Sequence, residues 1–241
     1  MSKIVSRKSY LAIMALFLSG ILLLAIGQSD IDLMLADSMF DPVGRTFPLR
    51  HAWITAKFGH DYLKTFFSIL GAIPVLLCLF DIIRPIQSWS GWFRLRLRIV
   101  ALSAILVPLA ISSLKSLSAS HCPWDIDRYG GKAPYVHLLS SLPDGLIPGH
   151  CLPGGHASSA LWLVSLAFFW WPFRPRIAMF AGFATLMLGM GVGWVQQIRG
   201  AHFLTHTLWS MWIACAINVA LFVMLKRISR SSEASGSSVH L

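Results

Sequence analysis

Six apolar runs dominate the sequence and leave little choice of fold: Tyr10–Gly27, Tyr62–Ile83, Leu97–Leu114, Ala157–Trp171, Ile177–Val195 and Thr207–Leu225. Crossing the ~30 Å hydrocarbon layer takes a helix of about 20 mostly apolar residues. The runs are continuously apolar rather than alternating, which favours helices over the strands of a barrel. Hydrophobic residues make up 56% of the chain and charged residues 12%, against ~45–50% and ~25% in soluble domains. That balance excludes a cytosolic enzyme and a disordered chain. The expected fold is an all-α, polytopic membrane protein: one bundle of six transmembrane helices over residues 1–228, followed by a serine-rich, disordered tail over 229–241. Ala25-Ile26-Gly27 has the small-x-small form of a cleavage site. The apolar run before it exceeds the ~7–15 residues of a signal core, so the first span reads as an uncleaved anchor.

Lysine and arginine mark the sides. With the N-terminus inside, twelve basic residues face Asp81 and Glu233 on the inner side, while eight basic residues and eight aspartates balance on the outer side. The whole net charge of +10 is therefore inner. It reads as a topology signal, with attraction to anionic membrane lipids, and not as a nucleic-acid surface. An even number of spans puts both termini on the inner, cytoplasmic side, with the outer loops on the opposite face. Oligomeric state is not legible.

Eight of the nine histidines fall on the outer side. His51, His60 and His137 read as solvated loop residues. The others sit in three dense segments, Lys115–Lys132, Pro148–Ser159 and Gln196–Ser210, each at the outer end of a span. Helix ends from distant parts of a chain can converge at one depth of a bundle. Gly154-Gly155-His156 opens the fourth span, where a helix N-terminus suits an anion. The fourth span is short, which predicts that this opening is recessed. Lys115 and Arg199 supply full positive charges. Gly182, Gly189, Gly191 and Gly193 in the fifth span read as helix-packing positions. The segment 28–61 reads either as amphipathic pieces in the interface or as a cap packed over the bundle.

At these residues the chain resembles the PAP2 (type 2 phosphatidic acid phosphatase) superfamily, integral-membrane lipid phosphatases related to vanadium haloperoxidases, and a divergent bacterial branch of it. The family signature is K-x6-R-P, P-S-G-H and S-R-x5-H-x3-D. Here it reads Lys115 then Cys122-Pro123, Pro153-Gly154-Gly155-His156, and Gln196, His202 and His206. The resemblance implies a PAP2-like helical bundle and metal-independent hydrolysis without a cofactor. It implies His202 as nucleophile, His156 as general acid and His206 in place of the orienting aspartate. Lys115, Arg199 and the Gly154–Gly155 backbone would hold the phosphoryl oxygens. Arg128 and Lys132 are candidates for the arginine that Cys122 replaces, and Asp125 or Asp127 could orient the nucleophile instead of His206.

The implied substrate is a lipid-linked phosphate or diphosphate, such as an isoprenoid diphosphate, a phosphatidylglycerol phosphate or a lipid A phosphate. Transfer of the phosphoryl group to a second lipid is the rival chemistry. A non-catalytic protein that binds or transports anionic lipid is the rival class, and four altered signature positions leave an inactive member open. His202 and His206, at i and i+4, could also be read as a metal pair. On an oxidising outer side, Cys122 and Cys151 are expected to pair across the site.

Overall fold

The computed structural model describes residues 2–234, with side chains over 10–225. Seven helices account for most of this length, and among the described residues there are no strands, only two isolated bridges. The helices are α1 (Ser2–Ile26), α2 (Ile31–Asp37), α3 (Leu63–Ile83), α4 (Gly91–Ser116), α5 (Gly155–Leu161), α6 (Pro175–Gln197) and α7 (Leu204–Ala234). A π-helical segment, Ile54–Tyr62, runs directly into α3, and a 3₁₀ segment, Trp162–Phe169, continues α5.

Four helices are long and apolar enough to cross a membrane: Ile54–Ile83, Gly91–Ser116, Pro175–Gln197 and Leu204–Leu225. Tyr10–Ile26 and Ile31–Asp37 qualify only as a pair, bent by 62°. Gly155–Phe169 is apolar but shorter. The second expected span therefore starts eight residues earlier than Tyr62. Ile54, Phe58 and Tyr62 turn outward, while Thr55 and Gly59 pack inward. The first turns of this helix carry Lys57, His60 and Asp61, which disguises them as loop. At the other end of the chain, α7 continues as helix to Ala234, past the expected start of the serine-rich tail at 229. The rest of that tail, 235–241, lies outside the described residues.

The fourth segment is the centre of the bundle. Ala157 to Ser165 are all buried, packed with Phe67, Val107, Ile111, Val192, Ile213 and Ala214 from the surrounding helices. Close approach is made by glycine. A methyl group on Gly189 would meet Leu161 at 2.3 Å, and one on Gly193 would meet Thr207 at 2.3 Å. Gly191 faces open space and Gly182 makes ordinary contact, so two of the four glycines set the helix spacing. Where α5 tightens to 3₁₀, the Trp162 carbonyl accepts from Ser165 (2.7 Å) and from Ser103 of α4 (3.2 Å). Pro74 and Pro108 lie inside α3 and α4; packed neighbours make such interruptions tolerable in spanning helices. α1 leans on α7, with Gly20 against the Trp212 ring and the Trp212 Nε1–H donating to the Leu16 carbonyl at 2.8 Å.

The segment 28–53 is a cap. α2 packs through Ala36, with Phe47, onto Ile126, Tyr129 and Phe203. Buried Asp32 accepts hydrogen bonds from the backbone N–H of Thr205 (3.0 Å) and from its hydroxyl, fixing the cap to the first turn of α7.

Candidate active site

Three segments distant in sequence are laced together at the end of the bundle where α4 finishes and α5 and α7 begin. Residues 118–120 and 149–151 lie side by side: the N–H groups of Gly149, His150 and Cys151 donate to the carbonyls of Ala119 (3.1 Å), Ser118 (3.1 Å) and Ser120 (2.9 Å). Cys122 and Cys151 are joined by a disulfide, their Cα atoms 5.3 Å apart. Trp124 N–H donates to the Gly200 carbonyl (3.0 Å), and Gly154 N–H donates to the His206 carbonyl (2.8 Å). These links bind the first segment to the second and both to the third.

The lacing brings His156 and His202 into one site. Their ring centroids are 6.2 Å apart, with the planes inclined by 51°. His202, in the short connection between α6 and α7, is 4% exposed. Its Nδ1 faces His206 Nδ1 at 3.3 Å and the Cys151 sulfur at 3.4 Å. Nε2 is the nitrogen left over. Burial, and after it the neighbouring His206, Lys115, His60 and Arg199, hold the His202 pKa well below the ordinary 6.5, so the ring is neutral at neutral pH. His206, also buried, faces Ser120 Oγ through its Nε2 at 3.1 Å. Both ring nitrogens of His156 are shielded and have no hydrogen-bond partner among the described residues, an expensive state for buried polar atoms.

Half-buried Lys115, in the last turn of α4, reaches over the start of α5. Its ammonium lies 3.9 Å from the point where a side chain on Gly155 would begin. Arg199 is held from two sides, Nη1 donating to Gln196 Oε1 (2.9 Å) and Nε to the Arg50 carbonyl (3.2 Å). Gln196, which occupies the signature arginine position, thus carries the arginine that follows it by nearly one turn. Its own amide donates to the Gly59 carbonyl at 3.4 Å.

Some expected residues do other work. Gly154 spends its N–H on His206 and its carbonyl on Ser210 Oγ (2.9 Å), leaving Gly155 as the member of the pair beside Lys115. Arg128 grips Asp37 with two bonds of 2.8 and 2.7 Å, a cap contact rather than a site contact. Lys132 is exposed. Asp125 and Asp127 make no bond to His202; the Asp127 carboxylate accepts from Arg128 N–H instead. A metal pair at His202 and His206 needs further donors. The nearby sulfurs of Cys122 and Cys151 are bonded to each other, which removes them as thiolate ligands.

One residue read as a solvated loop histidine belongs here. His60, in the helical turn before α3, lies 4.0 Å from His156 between ring centroids, and its Nδ1 is 2.6 Å from Asp61 Oδ1. Lys64 stands one turn further along the same helix. The adjacency of His60 and Asp61, followed by Lys64 at i+4 of His60, was the available signal.

Beside this cluster lies an apolar cavity of about 500 Å³, lined by Leu24 and Leu114, by Ser120 and Pro153 from the laced loops, by Leu138, and by Trp209 and Trp212 of α7. No curated protein and no solved structure matches the chain significantly. The family model described as the PAP2 superfamily matches residues 96–230, which include Lys115, the disulfide, His156, His202 and His206. With that match over more than half of the sequence, the chain belongs to the PAP2 superfamily.

Proposed function

We propose that this protein is a membrane phosphatase that hydrolyses a lipid-linked phosphate or diphosphate through a phosphohistidine on His202. The observation that carries the reading is the placement of the two facing rings. His202 has Nδ1 engaged and Nε2 left over, with burial pushing its pKa down, while His156 has neither nitrogen engaged. The Nε2 lone pair attacks phosphorus, and the bond from phosphorus to the leaving oxygen breaks. His156 gives that oxygen its proton. A water molecule then attacks the phosphohistidine, surrenders its proton to His156, and the N–P bond breaks to release phosphate. Lys115, Arg199 and the Gly155 backbone neutralise the equatorial oxygens. Burial, and after it the neighbouring His60, His202, Lys64 and Lys115, push the His156 pKa down, and the negative charge of the incoming phosphate is what allows the ring to be protonated. His60, supported by Asp61, closes the remaining side of His156.

The lipid character of the substrate is supported by the apolar cavity, whose volume is within the ~300–1,000 Å³ typical of ligand pockets. Isoprenoid diphosphates, phosphatidylglycerol phosphate and lipid A phosphates all present such a chain beside a phosphate. The distribution of lysine and arginine supports a periplasm-facing site in the inner membrane. Purified protein is expected to release inorganic phosphate from long-chain lipid phosphates, and to do so undiminished in EDTA. His202→Ala is expected to lower turnover by at least about a thousandfold, as loss of a nucleophile does. Release abolished by the chelator, or lipid bound tightly without turnover, overturns the reading.

A further inference from the structure

We infer that Ser120 is a positioning residue for the nucleophile, the end of a chain running from His202 through His206 to the serine hydroxyl; this rests on the reading of His202 given above. Among the described residues no carboxylate is hydrogen-bonded to His202 or His206. Something else must fix which nitrogen of the nucleophile carries hydrogen.

The contact between the two rings joins like atoms, Nδ1 to Nδ1 at 3.3 Å. Two neutral imidazoles make that bond in only two ways. In one, His206 carries its hydrogen on Nδ1 and donates to His202. His202 is then protonated on Nε2, the nitrogen needed for attack, and is inert. In the other, His202 donates from Nδ1 and keeps a lone pair on Nε2, while His206 carries its hydrogen on Nε2. That hydrogen then needs an acceptor, and among the described residues the hydrogen-bond partner at His206 Nε2 is Ser120 Oγ, at 3.1 Å. His206 is 1% exposed, so no bulk water substitutes. Stripped of this acceptor, the reactive arrangement leaves a buried N–H unpaired, which is costly.

Ser120 is itself well placed to stay put. Its N–H donates to Ser118 Oγ (3.2 Å), and its carbonyl accepts from the N–H of Cys151, one half of the disulfide. As the N–P bond forms, positive charge grows on the His202 ring. The chain then spreads that charge: His202 Nδ1–H strengthens its bond to His206, and His206 Nε2–H strengthens its bond to the serine oxygen. No proton has to leave the chain, so the two-step hydrolysis balances as written.

The test uses the full-length protein and a short-chain, soluble phosphate ester as well as a long-chain lipid phosphate. Ser120→Ala is expected to lower kcat roughly tenfold, as loss of the acceptor for one buried ring N–H does, with KM within about twofold. Ser120→Thr, which keeps the hydroxyl, is expected to restore most of the rate. The ring-nitrogen NMR signals of His206 in the parent protein are expected to show hydrogen on Nε2 and none on Nδ1. A parent-like kcat in Ser120→Ala overturns the inference, as does a Ser120→Thr variant that folds and is as slow as Ser120→Ala. A His206 ring protonated on Nδ1 overturns it without any activity measurement and whether or not the alanine variant folds. If the parent turns nothing over, or His202→Ala stays active, the phosphohistidine reading falls and takes this inference with it. If His202→Ala is dead and Ser120→Ala is normal, this inference alone falls.

Discussion

At the end of the bundle away from the signature segments, Asp81 and Arg94 meet in a closed ion pair. The carboxylate accepts from Arg94 Nε at 3.0 and 3.2 Å and from the Ile86 N–H at 3.0 Å, while Arg94 Nη2 donates to the Ile86 carbonyl at 2.8 Å. At the opposite end, Lys115, Arg199 and four histidines gather, and Asp61, on His60, is the only carboxylate among the described residues hydrogen-bonded to any of them. The first arrangement is complete without a ligand and joins the end of α3 to the start of α4. The second is short of negative charge and leaves His156 unpartnered. Buried polar groups that satisfy one another hold structure, whereas a surplus of one sign kept together by the fold is a place for the opposite sign to bind.

The contrast breaks first at Asp81. Asp81→Ala removes the buried carboxylate that accepts from the Arg94 guanidinium and from the Ile86 N–H. Removing one partner of a buried pair costs roughly 3–5 kcal/mol. The expected result is a large fall in the thermal unfolding midpoint, with kcat of the remaining folded protein unchanged. Loss of turnover at temperatures where the variant is folded would mean that the two ends are coupled.

The next largest effect is expected at Arg199, on the side with surplus charge. A hydrogen bond to a charged group contributes about 1.5–3 kcal/mol, or roughly ten- to hundredfold in affinity. Arg199→Gln is therefore expected to raise KM by that factor and to leave the unfolding midpoint close to the parent's, the reverse of Asp81→Ala. A parent-like KM would transfer the phosphate-holding role to Lys115 and Lys64.

What the sequence disclosed divides along similar lines. Hydropathy located the helices, because each apolar run needs only its own residues to be recognised. The convergence of Lys115, His156 and His202 was legible because all three stand at or beside the ends of apolar helices, where distant parts of a bundle can meet at one depth. His60 was legible only as a polar neighbour of Asp61 and Lys64. Its role depends on a contact with His156, 96 residues away, and Lys57 and Asp61 beside it read as loop before the apolar run that starts at Tyr62. Ser120 was hidden for the same reason, since serines are common in loops and its partner His206 is 86 residues distant. Gln196 was read as a departure from the signature, yet its amide oxygen is what holds Arg199. Sequence distance also misled in the other direction. Arg128 follows Cys122 closely, but an aspartate 91 residues upstream binds it first.

Arg128 accordingly supplies the smallest effect and a sharp check on which charges belong to the site. Its guanidinium is half exposed, paired with Asp37 at 2.7 Å, and the Tyr129 hydroxyl donates to the same carboxylate at 2.9 Å. The pair holds the guanidinium and the carboxylate in the charged form, pushing the Arg128 pKa up and the Asp37 pKa down, chiefly through their mutual hydrogen bond. An arginine so engaged has no fork to offer a phosphate, and solvent screens its field at the distance of the histidines. Arg128→Gln is thus expected to leave KM, kcat and the salt dependence of both at the parent's values, with at most a slight loosening of the cap over α7. A KM that rises as it does in Arg199→Gln would show that Asp37 releases Arg128 when substrate binds. The surplus of positive charge at this end would then extend into the cap.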